Sequence, residues 1–281
     1  MIAALLSALW SNRTARAGAI IVGIFLLAIS AGGALMPYSA TDMDFVNLLA
    51  PPSPMHPFGT DSFGRDVLTR VLLGGRLSLA ISVSGVACAA LVGIFAGLAS
   101  AWHGGVIDQL LMRFADLLFA FPSFVLALFL MVVLGFGAIN VTLAIALVYF
   151  PIFARLTRNL ALTLREEAYV QAARLMGQST LRILTREILP NIMAPILVQA
   201  SIAIAFGVII EAGLSFLGLG VQPPTPSLGV IMADGREYFN QAPWVLTLTG
   251  SFISFGLLGL NLLGDGLRDL TDPKLRERVG A

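Results

Sequence analysis

From Ala17 to Met36 the chain runs twenty residues without a charged side chain, and comparable runs return at Leu77–Trp102, Leu117–Leu134, Val141–Ala154, from Ile192 up to Glu211, and at Trp244–Leu263. A helix rises about 1.5 Å per residue, so about twenty apolar residues cross a hydrocarbon core of roughly 30 Å. The Val141–Ala154 run is short by itself and is expected to continue as an amphipathic helix to Leu164. With 57% hydrophobic and 12% charged residues, the chain carries more apolar surface than a soluble domain buries. The expected fold class is all-α, an integral membrane protein with six transmembrane helices in a lipid bilayer. The first run exceeds the roughly 7 to 15 apolar residues of a cleavable signal peptide and is taken as an uncleaved span.

Several chemistries are excluded early. The lone cysteine, Cys88, rules out an intrachain disulfide and a cysteine metal cluster, and the two histidines, His56 and His103, lie far apart in sequence. A formal net charge of +1 gives no sign of a nucleic-acid partner. The single lysine, Lys274, stands between Pro273 and Leu275, so no Gly-Lys-Ser/Thr phosphate loop exists, and any ATP hydrolysis must occur on another polypeptide. No nucleophile and base pair is evident, so no catalytic or metal-binding residues are expected.

One polar stretch interrupts the apolar plan. In residues 165–191, Glu167, Gln171, Arg174 and Gln178 fall on one helical face and Ala168, Ala172 and Leu175 on the opposite one. Gly177 breaks that helix. Ser179 is placed to cap a second one with Leu181, Leu184 and Ile188 as its apolar stripe, and Pro190 should force a fresh start. The result is helix, glycine elbow, helix, presenting side chains outward as a docking knob. Orientation follows from arginine and lysine placement: Arg155, Arg158, Arg165, Arg174, Arg182, Arg186, Arg268, Lys274, Arg276 and Arg278 share one side if there are six spans, which is predicted to be cytoplasmic together with both termini.

The elements between spans are also predictable. Pro37 to Arg76 reads as an external loop ending in a short amphipathic helix, capped by Thr60 or Asp61 and carrying Leu68, Val71 and Leu72. Ser82, Ser84, Gly85, Gly93 and Gly97 permit close helix contacts in the second span. Asp108, Arg113 and Asp116 form a polar stripe ahead of the third, where Pro122 kinks or ends the first helical turn. Glu211, about 28 Å above Ile192, lies near the far edge of the core. It either lines a vestibule or hydrogen-bonds inside the bundle, because an ionisable group at membrane depth needs water or a partner. After it, glycines and prolines suggest a short re-entrant or external hairpin.

The run Ala172, Ala173, three residues, Gly177, then Leu189 and Pro190 resembles the EAA loop of ABC-importer permeases, the cytoplasmic segment that inserts into a cleft on the ATPase subunit. Gln171 and Glu187 depart from that pattern, standing where its Glu and Ile would be. Gly59, Thr60 and Asp61 followed by Gly64, Arg65 and Asp66, and Leu214 to Gly220 with Gln222-Pro223-Pro224, resemble signatures of the dipeptide, oligopeptide and nickel branch, second membrane subunit type. The resemblance implies the type I ABC-importer permease fold. It divides the chain into residues 1–76 (N-terminal segment, first helix, external loop), a transmembrane domain of five helices at 77–264, and a cytoplasmic tail at 265–281. It implies a bacterial cytoplasmic membrane protein that forms half of a translocation pathway for short peptides, with nickel chelates or glutathione as alternatives. Its partners would be a second homologous permease subunit, two ATPases that bind ATP and magnesium, and an external solute-binding protein; the chain itself would carry no cofactor. Glu167, Arg174 and Arg182 would make polar ATPase contacts, Ala172 and Ala173 close packing, and Gly177 the elbow. A secondary transporter, the competing class, would place ionisable groups near the bilayer midplane, whereas only Glu211 interrupts the spans.

Overall fold

The structure, a computed structural model, describes residues 12–271; Lys274, Arg276 and Arg278, counted above for orientation, lie outside them. The described residues form helices and connecting turns, with one isolated β-bridge between Thr60 and Asp66. The elements are α1 (Arg13–Leu35), α2 (Val67–His103), α3 (Gly105–Phe119), α4 (Ser123–Leu134), α5 (Ala138–Arg165), α6 (Ala168–Leu175), α7 (Thr180–Ile183), a π-turn (Leu184–Ile188), α8 (Leu189–Phe216), α9 (Leu228–Glu237) and α10 (Pro243–Thr271). Five helical stretches are long and apolar enough to cross a membrane, and six if α3 and α4, bent by 96° at the Pro122 break, are one span.

Three local expectations are corrected. The short helix expected to end at Arg76 and the span expected from Leu77 are one element, α2, capped by the Asp66 carboxylate accepting from Thr69 N at 2.7 Å, not by Thr60 or Asp61. Gly74 and Gly75 look like a break, yet they are needed for contact: an added Cβ would lie 3.0 Å from Ser227 and 3.1 Å from Ile29 and Phe252. Pro190 does not restart the chain. The preceding turn widens to π geometry, with Leu189 N donating to Leu184 O, and α7 runs through into α8 as a continuous stretch from Thr180 to Phe216. Proline lacks the N–H and crowds the carbonyl of the preceding turn, and one widened turn absorbs both effects. After Glu211, α8 runs on to Phe216, and the glycine- and proline-rich residues 217–227 then turn the chain into α9, which packs back against α8.

The bundle is organised on α2, which packs along α5 and against α8, while α10 pairs with α1 and α8. Ile145, Val148, Phe153, Met131, Ile196 and Leu214 lie in the main core, and Val67, Val71, Leu228, Ile231, Ala242 and Val245 form a second cluster. The α2–α5 seam is made close by Gly85, Gly93 and Gly97, as the sequence predicts; Ser82 instead faces α8, donating to Ile204 O at 2.7 Å, and Ser84 is exposed. A Cβ at Gly93 would stand 2.6 Å from Phe153 Cβ and 2.9 Å from Ala154 N. Because backbone atoms cannot swing aside, Gly93→Leu should cost about 1–3 kcal/mol or more. Thermal unfolding in detergent micelles should show a clearly lowered midpoint, and an unchanged midpoint would contradict this seam.

Candidate functional site

The elbow is built as a helix stop. Gly177 has φ +74°, its N–H bonds to Arg174 O at 2.9 Å, and Gln178 N bonds to Ala173 O at 3.1 Å. This pair of bonds with a left-handed residue is the Schellman termination, which glycine adopts without steric strain. The two limbs are α6 and α7. Inward they bury Val170, Ala173 and Ile183.

Their outer face inverts the usual amphipathic arrangement, in which apolar residues lie on the core. Leu175 is 90% exposed, Met176 72% and Leu181 72%, with Ala168 and Ala172 also exposed. Two residues of the polar face, Gln171 and Arg174, are spent locally instead. Gln171 Nε2 donates to Arg165 O at 3.0 Å, and the Arg174 guanidinium lies 4.1 Å from the centre of the Trp102 ring. Of the residues singled out in the sequence, Glu167, Ala172 and Arg182 are exposed, Ala173 is buried, Arg174 folds back onto the bundle, Leu189 is half-buried, and Pro190 is exposed at the start of α8. Trp102 closes an apolar span 72 residues before Arg174, and no local pattern in the sequence signals its contact with the elbow.

At the other end of α2 the second signature forms a buried ionic lock. Asp61 Oδ1 accepts from Phe63 N at 2.9 Å and Arg65 N at 3.0 Å, while Oδ2 accepts from Arg65 Nε at 2.7 Å and faces Arg70 Nε at 3.4 Å. Both arginines also approach Asp234 on α9, at 3.4 and 3.7 Å. Thr60 Oγ1 accepts from Ala50 N at 2.8 Å and donates to Asn47 O, and Asp66 accepts from His56 Nδ1 at 2.9 Å. Gly64 has φ +73°, and an added Cβ would collide with Asp44 O; Gly59 has φ +72° and abuts Trp244. The signature thus folds the loop that precedes α2 onto α2 and α9.

Glu211 is 0% exposed. Its Oε1 accepts from Ser215 Oγ at 2.8 Å, that hydroxyl accepts from Val221 N at 3.0 Å, and among the described residues Oε2 has no partner of hydrogen-bond geometry, although the Ser78 and Ser227 hydroxyls adjoin the carboxylate. The Asp108, Arg113 and Asp116 stripe on α3 meets α5. Arg158 grips Asp108 at 2.5 and 2.6 Å, Arg155 pairs with Asp116, and these four line a cavity of about 420 Å³ together with Gln109, Met112, Arg113 and Asn159. Among the described residues no group of three or more His, Cys, Asp or Glu side chains is placed to hold a metal ion.

This arrangement has counterparts. Residues 89–277 match the family model of binding-protein-dependent transport system inner membrane components. The chain is 41% identical over 265 residues to the dipeptide transport system permease protein DppC of Alkalihalophilus pseudofirmus, covering 94% of this chain and 87% of that one. It is 43% identical to the di/tripeptide transport system permease protein DppC of Pseudomonas aeruginosa (85% and 81% covered), and 40% identical to the glutathione transport system permease protein GsiD of Pectobacterium atrosepticum (92% and 87%). Among solved structures, an inward-facing conformation of the MetNI methionine ABC transporter superposes with a TM-score of 0.53 at 19% identity, covering 72% of this chain and 96% of that one, a likeness of fold. The chain belongs to the family of binding-protein-dependent transport system inner membrane components, in the branch of ABC-importer permeases that includes the dipeptide permeases.

Proposed function

We propose that this chain is one membrane half of an ATP-driven importer of short peptides in a bacterial cytoplasmic membrane. The observation that carries the proposal is the outward apolar knob of Leu175, Met176 and Leu181 on a glycine elbow, a surface that a soluble face would not leave bare. Its occupant is a separate ATPase, two copies of which bind ATP and magnesium, while a second homologous permease completes the pathway and an external solute-binding protein delivers the substrate. Both termini and the elbow lie on the cytoplasmic side, where the arginines concentrate. Closure of the ATPases moves the elbows together and turns the pathway outward. Relatives named for dipeptide, di/tripeptide and glutathione transport favour short peptides over nickel chelates.

The test is reconstitution of the four membrane-bound subunits in liposomes with the binding protein and a labelled dipeptide. ATP-dependent accumulation that requires the binding protein supports the reading; accumulation without any ATPase, or of a nickel chelate alone, overturns it. Within this system Gly177→Arg should uncouple uptake from hydrolysis while the chain remains inserted. Among the described residues nothing lies within 4 Å of an added Cβ, so the effect is conformational: a left-handed position costs a side chain about 1–2 kcal/mol and re-aims the second limb. Asparagine tolerates that conformation, so Gly177→Asn should retain more peptide uptake per ATP than Gly177→Arg. Equal ratios in the two variants would remove the elbow's geometry from the explanation.

A further inference from the structure

The C-terminal end of α2 is tied to both limbs of the elbow by one side chain. The Trp102 ring supports the Arg174 guanidinium of the first limb at 4.1 Å, and its Nε1 donates to Thr180 Oγ1 of the second limb at 3.1 Å. Arg174 Nε is buried with no hydrogen-bond partner among the described residues, which leaves the indole face as the stabilising contact there for that edge of the cation. The tie is reinforced beside it, where Arg165 Nη1 donates to Ala101 O at 2.8 Å and Gln171 Nε2 to Arg165 O at 3.0 Å.

The same helix reaches the other side of the molecule. From Val67 to His103, 37 residues, α2 is unbroken, a rod of about 55 Å. Its outer end holds Arg70 in the ionic lock with Asp61 and Asp234, and its length is seated against α5 through the glycine seam. A displacement of the elbow therefore meets a rod whose far end carries the external loop. The indole is the joint that bridges both limbs across Gly177, so it resists their opening as well as their translation.

We infer that Trp102 is a positioning residue for coupling: it transmits elbow movement into α2 and thence to the external face. This rests on the reading that the elbow docks on an ATPase, and the experiment separates the two. In the complete reconstituted transporter, three variants are compared for ATPase co-purification and for dipeptide taken up per ATP hydrolysed. Trp102→Phe keeps an aromatic face for Arg174 and loses the donor to Thr180; Thr180→Val loses only the acceptor; Trp102→Leu loses both contacts. ATPase association should remain at the wild-type level throughout. The uptake-to-hydrolysis ratio should fall on the order of tenfold for Trp102→Leu and about threefold for each milder change, in keeping with one cation–π contact and one hydrogen bond. The double variant Trp102→Phe/Thr180→Val should be no worse than either single, because both remove the same bond.

A wild-type chain that never retains an ATPase sinks the docking reading itself. An ATPase that binds and couples normally while the ratio stays at wild-type in Trp102→Phe and Thr180→Val overturns the inference alone, including where Trp102→Leu fails to accumulate in the membrane. Uptake and hydrolysis falling in parallel at constant ratio would equally overturn it, since that is the signature of a merely structural tryptophan.

Discussion

Replacing Leu175 with glutamate should detach the chain from its ATPase without harming its fold. Leu175 is 90% exposed at the end of the first limb, Met176 follows at 72%, and Leu181 stands across the elbow at 72%. Burying each of these against a partner yields about 1.5–3 kcal/mol, and central anchors of an interface typically cost 2 kcal/mol or more when removed. A carboxylate in the same place adds desolvation of an unpaired charge, so the affinity loss should reach at least about 100-fold. In the isolated chain the side chain packs on nothing that the fold needs, and stability should change by no more than about 0.5 kcal/mol. Co-purification and thermal unfolding, measured on the same preparation, separate the two effects. Retained ATPase with Leu175→Glu would place the docking surface elsewhere. Glu167 and Arg182 are exposed charges at the start of the first limb and on the second, and single substitutions there should act on association rate and salt dependence more than on affinity.

Much of the membrane plan is legible because a charge-free run of about twenty residues has few alternatives. Gly177 was legible for a related reason: a glycine after an amphipathic run marks a left-handed helix stop. The continuity of the long helices was not. In α2, Arg70, Gly74, Gly75 and Arg76 read as a polar interruption, but Arg70 is buried by partners far along the chain, the glycines are made by the proximity of Ser227 and Phe252, and Arg76 points outward. At Pro190 the outcome depended on whether the preceding turn could take one extra residue, which local pattern does not encode. The faces of α6 were likewise hidden, because periodicity identifies an apolar side without saying whether the bundle or another subunit covers it. The Gly59–Asp66 signature is recognisable as a motif, yet its physical role needs Asp234, which lies 169 residues beyond Arg65.

That ionic lock gives the second large expected effect. Asp61 is 2% exposed, and it lies within hydrogen-bond reach of the Arg65 backbone while also facing the Arg65 and Arg70 side chains. Asp61→Ala would leave two buried guanidiniums sharing the partly exposed Asp234, and breaking a buried pair on one side costs about 3–5 kcal/mol. The unfolding midpoint should drop on the order of 10 °C. Asp61→Asn keeps an acceptor for the turn and should lose less. Removal of Arg70 adds a pH signature. Burial pushes the Asp234 carboxyl above the ordinary 3.8, and the guanidiniums of Arg70 and Arg65 pull it back. A carboxyl raised in the folded state binds its proton more readily there than in the unfolded chain, so stability falls as pH rises from 3.8 towards the raised value. Arg70→Met removes the larger downward pull and widens that window, so its stability deficit should be greater at about pH 8 than at about pH 5. Adding Asp234→Asn to Arg70→Met should flatten the difference, because the titrating group is gone. A deficit independent of pH in Arg70→Met would mean that Arg70 acts through its packing and its bond to Ala40 O, not through the charge of Asp234.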